Sequence, residues 1–252
     1  MSCTLKVFAS ICLPSLKIFE LSYATFSNEI FSKSRQLHFS FLALEVLNVT
    51  RCEWLNVKII SIDAPMLKSL KLLSSTFEWE LDGSHDCVIK LQVPSLTEFS
   101  LRSCGFQEKI LLGPFSLSYA TIDLSPDVFE RNDMREFGLR ACMLLNQISN
   151  VKQLTLSACT FEGILHWVED EFVQEMLPQC FQSSLKVIKF EGFSGNEPEL
   201  VSFKFFLENV MVLEQMIVIA WKWISKPTKK KLKKQLLTYP KGSNCAKIVC
   251  CF

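Results

Sequence analysis

The chain of 252 residues is poor in the patterns that usually carry catalysis. Its three histidines, His38, His85 and His166, lie far apart and at none of the metal-ligand spacings. No G-x-G-x-x-G, P-loop or G-x-S-x-G phrase occurs, which removes the common nucleotide-binding and hydrolase signatures. Eleven cysteines are present without a C-x-x-C pair, so the usual zinc and thioredoxin spacings are missing. Charge of one sign is also lacking: 27 basic against 26 acidic residues leave a formal charge of +1, which argues against a nucleic-acid footprint over the whole molecule. Eight glycines and nine prolines exclude a low-complexity chain. The best membrane candidate, 210–224, is interrupted by Glu214, Gln215 and Lys222 and falls short of the roughly 20 residues needed to span a bilayer. The apolar stretch 7–13 leads directly into a repeated phrase and is not read as a secretion signal.

What is there is an eleven-residue phrase, L-x-x-L-x-L-x-x-(C/A/S)-x-(F/W). It reads Leu96, Phe99, Leu101, Cys104, Phe106 and again Val151, Leu154, Leu156, Cys159, Phe161. The same frame fits Leu16-Phe19-Leu21-Ala24-Phe26, Leu44-Leu47-Val49-Cys52-Trp54 and Leu67-Leu70-Leu72-Ser75-Phe77. Apolar residues two apart share one face of a strand, so each L-x-L core predicts a short strand with one buried side. The apolar residue three positions earlier turns inward from the preceding loop, and the small residue three positions later fits where the chain bends away. No copy can bury its own face, so the copies must stack into a parallel sheet with a shared core. First positions recur at intervals of 28, 23, 29 and 55 residues, and a degenerate copy at Leu117-Ala120-Ile122 divides the longest. Three cysteines at one repeat position, Cys52, Cys104 and Cys159, read as small apolar core groups, which suits a reducing cytoplasmic or nuclear compartment.

Outside the repeats the period changes. Phe129, Met134, Phe137, Ala141, Leu144, Leu145 and Ile148 share a helical face within 126–150, with Ser125 as cap and Pro126 in the first turn. A second helix is expected over 165–177, stopped by Pro178. From Ser183 the chain reads as a β-α-β-α-β tail. It comprises a strand at 185–190, a turn at 192–195, a helix from Asn196 to about Asn209 and a strand at 212–221. A lysine-rich helix at 226–237, a turn at 239–244 and a strand at 246–251 complete it.

The stacked phrase resembles the leucine-rich repeat. The tail is more specific: 183–193 (SSLKVIKFEGF), the acids Glu197, Glu199 and Glu208, and the closing Pro240, Ser243 and Cys245 resemble the FBD domain of plant F-box proteins. Together they resemble the plant F-box/FBD/leucine-rich repeat family. The resemblance implies an α/β chain in two domains. Residues 1–181 would be an irregular leucine-rich-repeat solenoid, a parallel sheet with outer helices and loops truncated at its start. Residues 182–252 would be a small FBD-type cap. Members of that family typically begin with an F-box that docks onto a ubiquitin-ligase adaptor. Nothing before Leu16 matches one, so adaptor binding is not expected of this chain.

The function these features imply is binding. The pair His85 and Cys87 sits in a polar loop where neighbours point apart, and Glu169, Asp170 and Glu171 fan around a helix, so neither makes a catalytic cluster. The lysine run 226–234 reads either as the exposed face of the tail helix or as a nuclear-import segment. Variable positions inside each phrase line up across successive strands and form the candidate protein-binding face: Lys17, Glu20, Glu45, Asn48, Lys68, Lys71, Thr97, Glu98, Ser100, Lys152, Gln153 and Thr155, with Ile18, Val46 and Ser69 beside them. Both charge signs occur there, which fits a protein target better than DNA. No catalytic residue, cofactor or metal is expected, and no nucleic acid or membrane as partner. The leading reading is the target-recognition part of an F-box-type ligase receptor. The alternative is a shortened structural relative without ligase function.

Overall fold

The computed structural model describes residues 3–6, 10–27, 36–55, 57–73, 88–104, 109–112, 117–125, 134–168 and 177–251. The chain divides into two compact units, Met1–Leu117 and Ser118–Phe252.

In the first unit, successive lengths of chain deliver strands to three parallel sheets in a fixed rotation. β1 (Cys3–Lys6), β2 (Ser10–Cys12) and β3 (Ile18–Ser22) are followed by β4 (Ala24–Ser27), β5 (Gln36–Ser40) and β6 (Val46–Thr50), then by β7 (Glu53–Leu55), β8 (Ile59–Asp63) and β9 (Ser69–Leu73). β10 (Val88–Gln92), β11 (Glu98–Cys104) and β12 (Lys109–Leu112) follow. The strands run β1-β4-β7, β12-β10-β8-β5-β2 and β11-β9-β6-β3. The L-x-L cores form the last of these runs in uniform register, with Phe19 beside Leu47, Leu47 beside Leu70 and Leu70 beside Phe99.

The corners before β9 and β11 are β-turns, each closed by an i→i+3 hydrogen bond. Leu67 N donates to Ala64 O at 3.1 Å and Leu96 N to Val93 O at 3.0 Å, with Pro65 and Pro94 at the second turn position. Proline pre-sets φ for that position, and the fourth residue then enters the core. Leu67 and Leu96 are fully buried as a result, as is Leu44 at the equivalent position before β6.

Two expectations need correction here. The outer elements of this unit were expected to be helices and loops, but its described residues contain no helix. Strands β5, β8 and β10 stand there instead, because Leu37/Phe39, Ile60/Ile62 and Ile89/Leu91 alternate at period two and bury one face. The cysteine position is not uniformly core. Cys52 is buried, with its thiol within reach of Thr50 O at 3.5 Å, whereas Cys159 is exposed. The side chains of Trp54 and Cys104, and all of Ser75, Phe77 and Phe106, lie outside the described residues, as do His85, Asp86 and Cys87.

The second unit alternates strands and helices. β13 (Tyr119–Ser125), α1 (Met134–Gln147), β14 (Gln153–Ser157), α2 (Ala158–Val168) and α3 (Gln179–Ser183) precede β15 (Val187–Phe193), α4 (Glu197–Asn209), β16 (Gln215–Ala220), α5 (Lys226–Leu236) and β17 (Lys247–Cys251). Its strands lie side by side in chain order, all parallel, as crossover connections demand. The 181/182 boundary falls within α3, inside this unit, and the strands on either side of it, β14 and β15, are hydrogen-bonded neighbours.

Helix α1 buries Phe137, Ala141, Leu144 and Leu145, the face its spacing predicts, while Phe129, Pro126 and the acids 169–171 lie outside the described residues. Helix α2 starts at Ala158, seven residues before the expected 165. Ser157 is the reason: its Oγ accepts from Thr160 N at 3.4 Å, a capping bond at the very end of β14. Thr160 is wholly buried and its hydroxyl accepts from Leu124 N at 2.8 Å, joining α2 to β13. Gly163 then lets α2 approach α1, since a side chain there would collide with the ring of Phe137.

A cluster of phenylalanines fills the space between α2, α4 and the sheet. Phe161, Phe181, Phe190, Phe193, Phe203 and Phe206 are each at most 1% exposed, and Phe206 stacks on Phe161 with ring centroids 4.1 Å apart. Burial also keeps Cys142 and Cys180 neutral: desolvation pushes both thiols up, that of Cys180 to about 12.

The start of α4 is built as its sequence predicts, with one change. Asn196 Oδ1 accepts from Glu199 N at 2.8 Å, but Glu199 reaches past the cap, accepting from Gly195 N at 2.6 Å and Ser194 N at 2.7 Å. Asn196 also donates to Glu162 on α2 at 3.4 Å. Burial raises the Glu162 carboxyl above its ordinary range, and the Asn196 bond only partly offsets this.

Two outcomes follow from this core. Phe206→Ala should cost about 3–5 kcal/mol of stability, read from the shift of the urea midpoint at unchanged m-value. Because the folded state holds the Glu162 proton more tightly, the stability Glu162 contributes is present at acid pH and is lost as pH rises from the ordinary carboxylate range through the raised value. Glu162→Gln should therefore melt higher than the native chain at neutral pH, and the gap should close below the ordinary carboxylate range. An equal gap at both pH values would contradict the assignment.

Candidate protein-binding face

In the first unit the outward residues of β3, β6, β9 and β11 form columns across the strands. Ile18, Val46, Ser69 and Glu98 make one; Glu20, Asn48, Lys71 and Ser100 make the next. A third row stands in the turns before the strands, where Glu45 N donates to Lys17 O at 2.8 Å, Lys68 N to Glu45 O at 2.9 Å and Thr97 N to Lys68 O at 3.0 Å. The sheet thus brings Lys17, Glu20, Glu45, Asn48, Lys68, Lys71, Thr97, Glu98 and Ser100 together. Lys152, Gln153 and Thr155 belong to the second unit, on and before β14. There Gln153 stands between Tyr119 and Val187, and Thr155 between Thr121 and Lys189.

Neighbouring repeats tie these rows with polar side-chain pairs. Lys68 Nζ lies 2.7 Å from Glu45 Oε2, and Asn48 Nδ2 donates to Glu20 Oε1 at 2.8 Å. Its hydrogen bond to Lys68 and the adjacent charge lower the Glu45 carboxyl. The second unit repeats the device, with Lys186 Nζ 2.7 Å from Glu214 Oε1 between consecutive pre-strand turns. Exposed pairs of this kind hold side chains in rows more than they stabilise the fold.

One pair escaped the sequence reading. Tyr23 and Arg51 occupy equivalent positions just after β3 and β6, and both adopt left-handed backbone, φ 56° and 50°. Such a conformation costs a non-glycine residue roughly 1–2 kcal/mol. The cost is partly offset by backbone bonds, Tyr23 N to Thr50 O at 3.0 Å and Arg51 N to Leu73 O at 2.6 Å. Arg51 Nη1 donates to the Tyr23 hydroxyl at 2.9 Å, and its guanidinium lies 5.5 Å from the ring centroid. Both side chains are exposed beside the Glu20 column. Tyrosine and arginine are among the residue types enriched at the energetic centre of protein interfaces. The available hint was their shared place, one residue before the small Ala24 and Cys52 of the phrase.

Other chemistries find little support. Among the described residues there is no group of three or more His, Cys, Asp or Glu side chains placed to hold a metal ion. Among the described residues no helix is long and apolar enough to cross a membrane.

Comparison with known proteins adds the family. The FBD family model matches residues 174–218, which span α3, β15, α4 and the first part of β16. Two F-box/FBD/LRR-repeat proteins of Arabidopsis thaliana are each 23% identical, over 97% and 95% of this chain and 63% of their own length. A putative FBD-associated F-box protein of the same plant is 25% identical over 95% of this chain and 65% of its own. The chain is a relative of the plant F-box/FBD/LRR-repeat proteins. It spans less than two thirds of the length of the curated relatives it matches. No solved structure matches. The FBD match stops within β16, so the lysine-rich α5 and β17 lie beyond the segment shared with the FBD family model.

The left-handed positions yield a clean comparison. Arg51→Gly removes the ring contact but relieves the backbone, whereas Arg51→Ala removes the contact and keeps the strain. The alanine variant should be less stable than the glycine variant by about 1 kcal/mol in urea denaturation. The reverse order would contradict the backbone assignment.

Proposed function

We propose that this chain is a non-enzymatic protein-interaction module and serves as the target-recognition part of an F-box-type ubiquitin-ligase receptor. In this reading residues 1–181 are an irregular leucine-rich-repeat solenoid and residues 182–252 an FBD-type domain that caps it. The outward rows on β3, β6, β9 and β11 bind the target, with Tyr23 and Arg51 as anchors and Glu20, Asn48, Lys71 and Glu98 setting charge specificity. Lys152, Gln153 and Thr155 extend the same role to the second unit. The observation that carries the reading is the combination of family and surface. The relatives are named as F-box/FBD/LRR-repeat proteins, and the described outward face is polar, of both signs and held in rows.

The reading is tested by proximity labelling in plant cells with the native chain and with Tyr23→Ala/Arg51→Ala and Glu20→Lys/Lys71→Glu variants. The native chain should label a reproducible set of proteins that both variants lose while melting cooperatively. An identical labelled set from well-folded variants would remove this face as the binding surface.

A further inference from the structure

Strand β17 is outermost in the sheet of the second unit, and among the described residues nothing pairs with its far edge. Its ladder to β16 uses one side of the backbone only. Lys247 N donates to Glu214 O at 2.9 Å, so the peptide groups of Lys247, Val249 and Cys251 face β16. Those of Ile248 and Cys250 therefore face outward. The side chains add a second observation. Ile248 and Cys250 stand in register with Met216 and Val218, on the inward face, yet they are only half-buried where Met216 and Val218 are fully buried. Among the described residues no further strand extends the apolar layer past β17.

A third observation concerns charge. Beyond Glu214 the chain contains no acidic residue, while Lys222, Lys226, Lys229, Lys230, Lys231, Lys233, Lys234, Lys241 and Lys247 all follow it. Three of these border the open edge. Lys247 opens β17, Lys241 Nζ donates to Ala246 O at 2.7 Å, and Lys233 acts electrostatically on the Cys250 thiol. The apolar side of α5, Leu232 and Leu236, is already buried, so the helix has no greasy face to lay into a bilayer.

We propose that β17 accepts an extended, acidic segment of a partner protein as an added strand, its alternate apolar residues covering Ile248 and Cys250 and its carboxylates meeting Lys233, Lys241 and Lys247. Main-chain bonds to the free groups of Ile248 and Cys250 supply the pairing, and the surrounding lysines select for acid. This surface is separate from the repeat face and stands or falls independently of it.

Fluorescence polarisation with the whole chain tests the idea, using a fluorescein-labelled peptide of alternating valine and glutamate. The peptide should bind, more weakly as salt rises, and its valine–lysine counterpart should not. Cys250→Pro removes an outward N–H without touching the ladder to β16, since proline is tolerated on a sheet edge. It should weaken binding about tenfold or more. Lys233→Glu/Lys247→Glu should do the same. Hydrogen exchange on the native chain provides a readout that needs no variant: the amides of Ile248 and Cys250 should gain protection when peptide is added. Equal binding of both peptides, an unchanged affinity of a folded Cys250→Pro chain, or no added protection overturns the proposal. So does binding to phosphatidylserine vesicles or oligo-dT without binding to the acidic peptide.

Discussion

A strand carrying Leu70 and Leu72 on one face cannot shield them alone, because a single strand has no second layer. Every described strand of the protein answers that constraint in the same way, by pairing with a neighbouring strand and sharing a core with it. Parallel pairing requires the chain to return to the same end each time, and the two units meet this requirement differently. The first returns through further strands and proline-bearing corner turns. The second returns through helices, which bring the phenylalanines of α2 and α4 over the sheet.

The same constraint creates the outward rows and the sheet edge proposed as binding surfaces. Fixing the inward residues in register fixes the outward ones too, so Glu20, Asn48, Lys71 and Ser100 become a column although nothing in their chemistry demands it. Lateral pairs such as Glu45 with Lys68 and Lys186 with Glu214 then orient the rows. Among the described residues no strand pairs with the far edge of β17, Ile248 and Cys250 are half-covered, and Lys241 and Lys247 stand beside that strand. Lysine on an edge strand also discourages indiscriminate pairing, so one feature protects the edge and selects what joins it.

Much of this is visible in the linear chain, and the exceptions have physical causes. The core strands at Leu47, Leu70, Phe99 and Leu154 are legible because period-two apolar residues recur in one frame. The start of α4 is legible because Asn196 and Glu199 satisfy helix-end donors at a fixed spacing. The strands at 36–40 and 59–63 were missed because their alternation is short and falls outside the repeated phrase. Helix α2 was placed too late because Ser157 and Thr160 make ordinary local sequence, and only their bonds to one another and to β13 show where the helix begins. The candidate face was named residue by residue from spacing, but Tyr23 and Arg51 were not. Their role depends on a left-handed backbone that no composition reveals.

The sequence by itself determined that strands must stack, which residues of each L-x-L core face inward, where α4 is capped and which family the tail resembles. Each of these follows from spacing along the chain. Only the tertiary structure decided which elements return the chain between core strands, that Cys159 lies outside and Cys52 inside, that Arg51 leans on Tyr23, and that β17 has no paired neighbour on its far edge among the described residues. These depend on contacts between residues tens of positions apart, whose geometry is set by how layers pack and not by any local pattern.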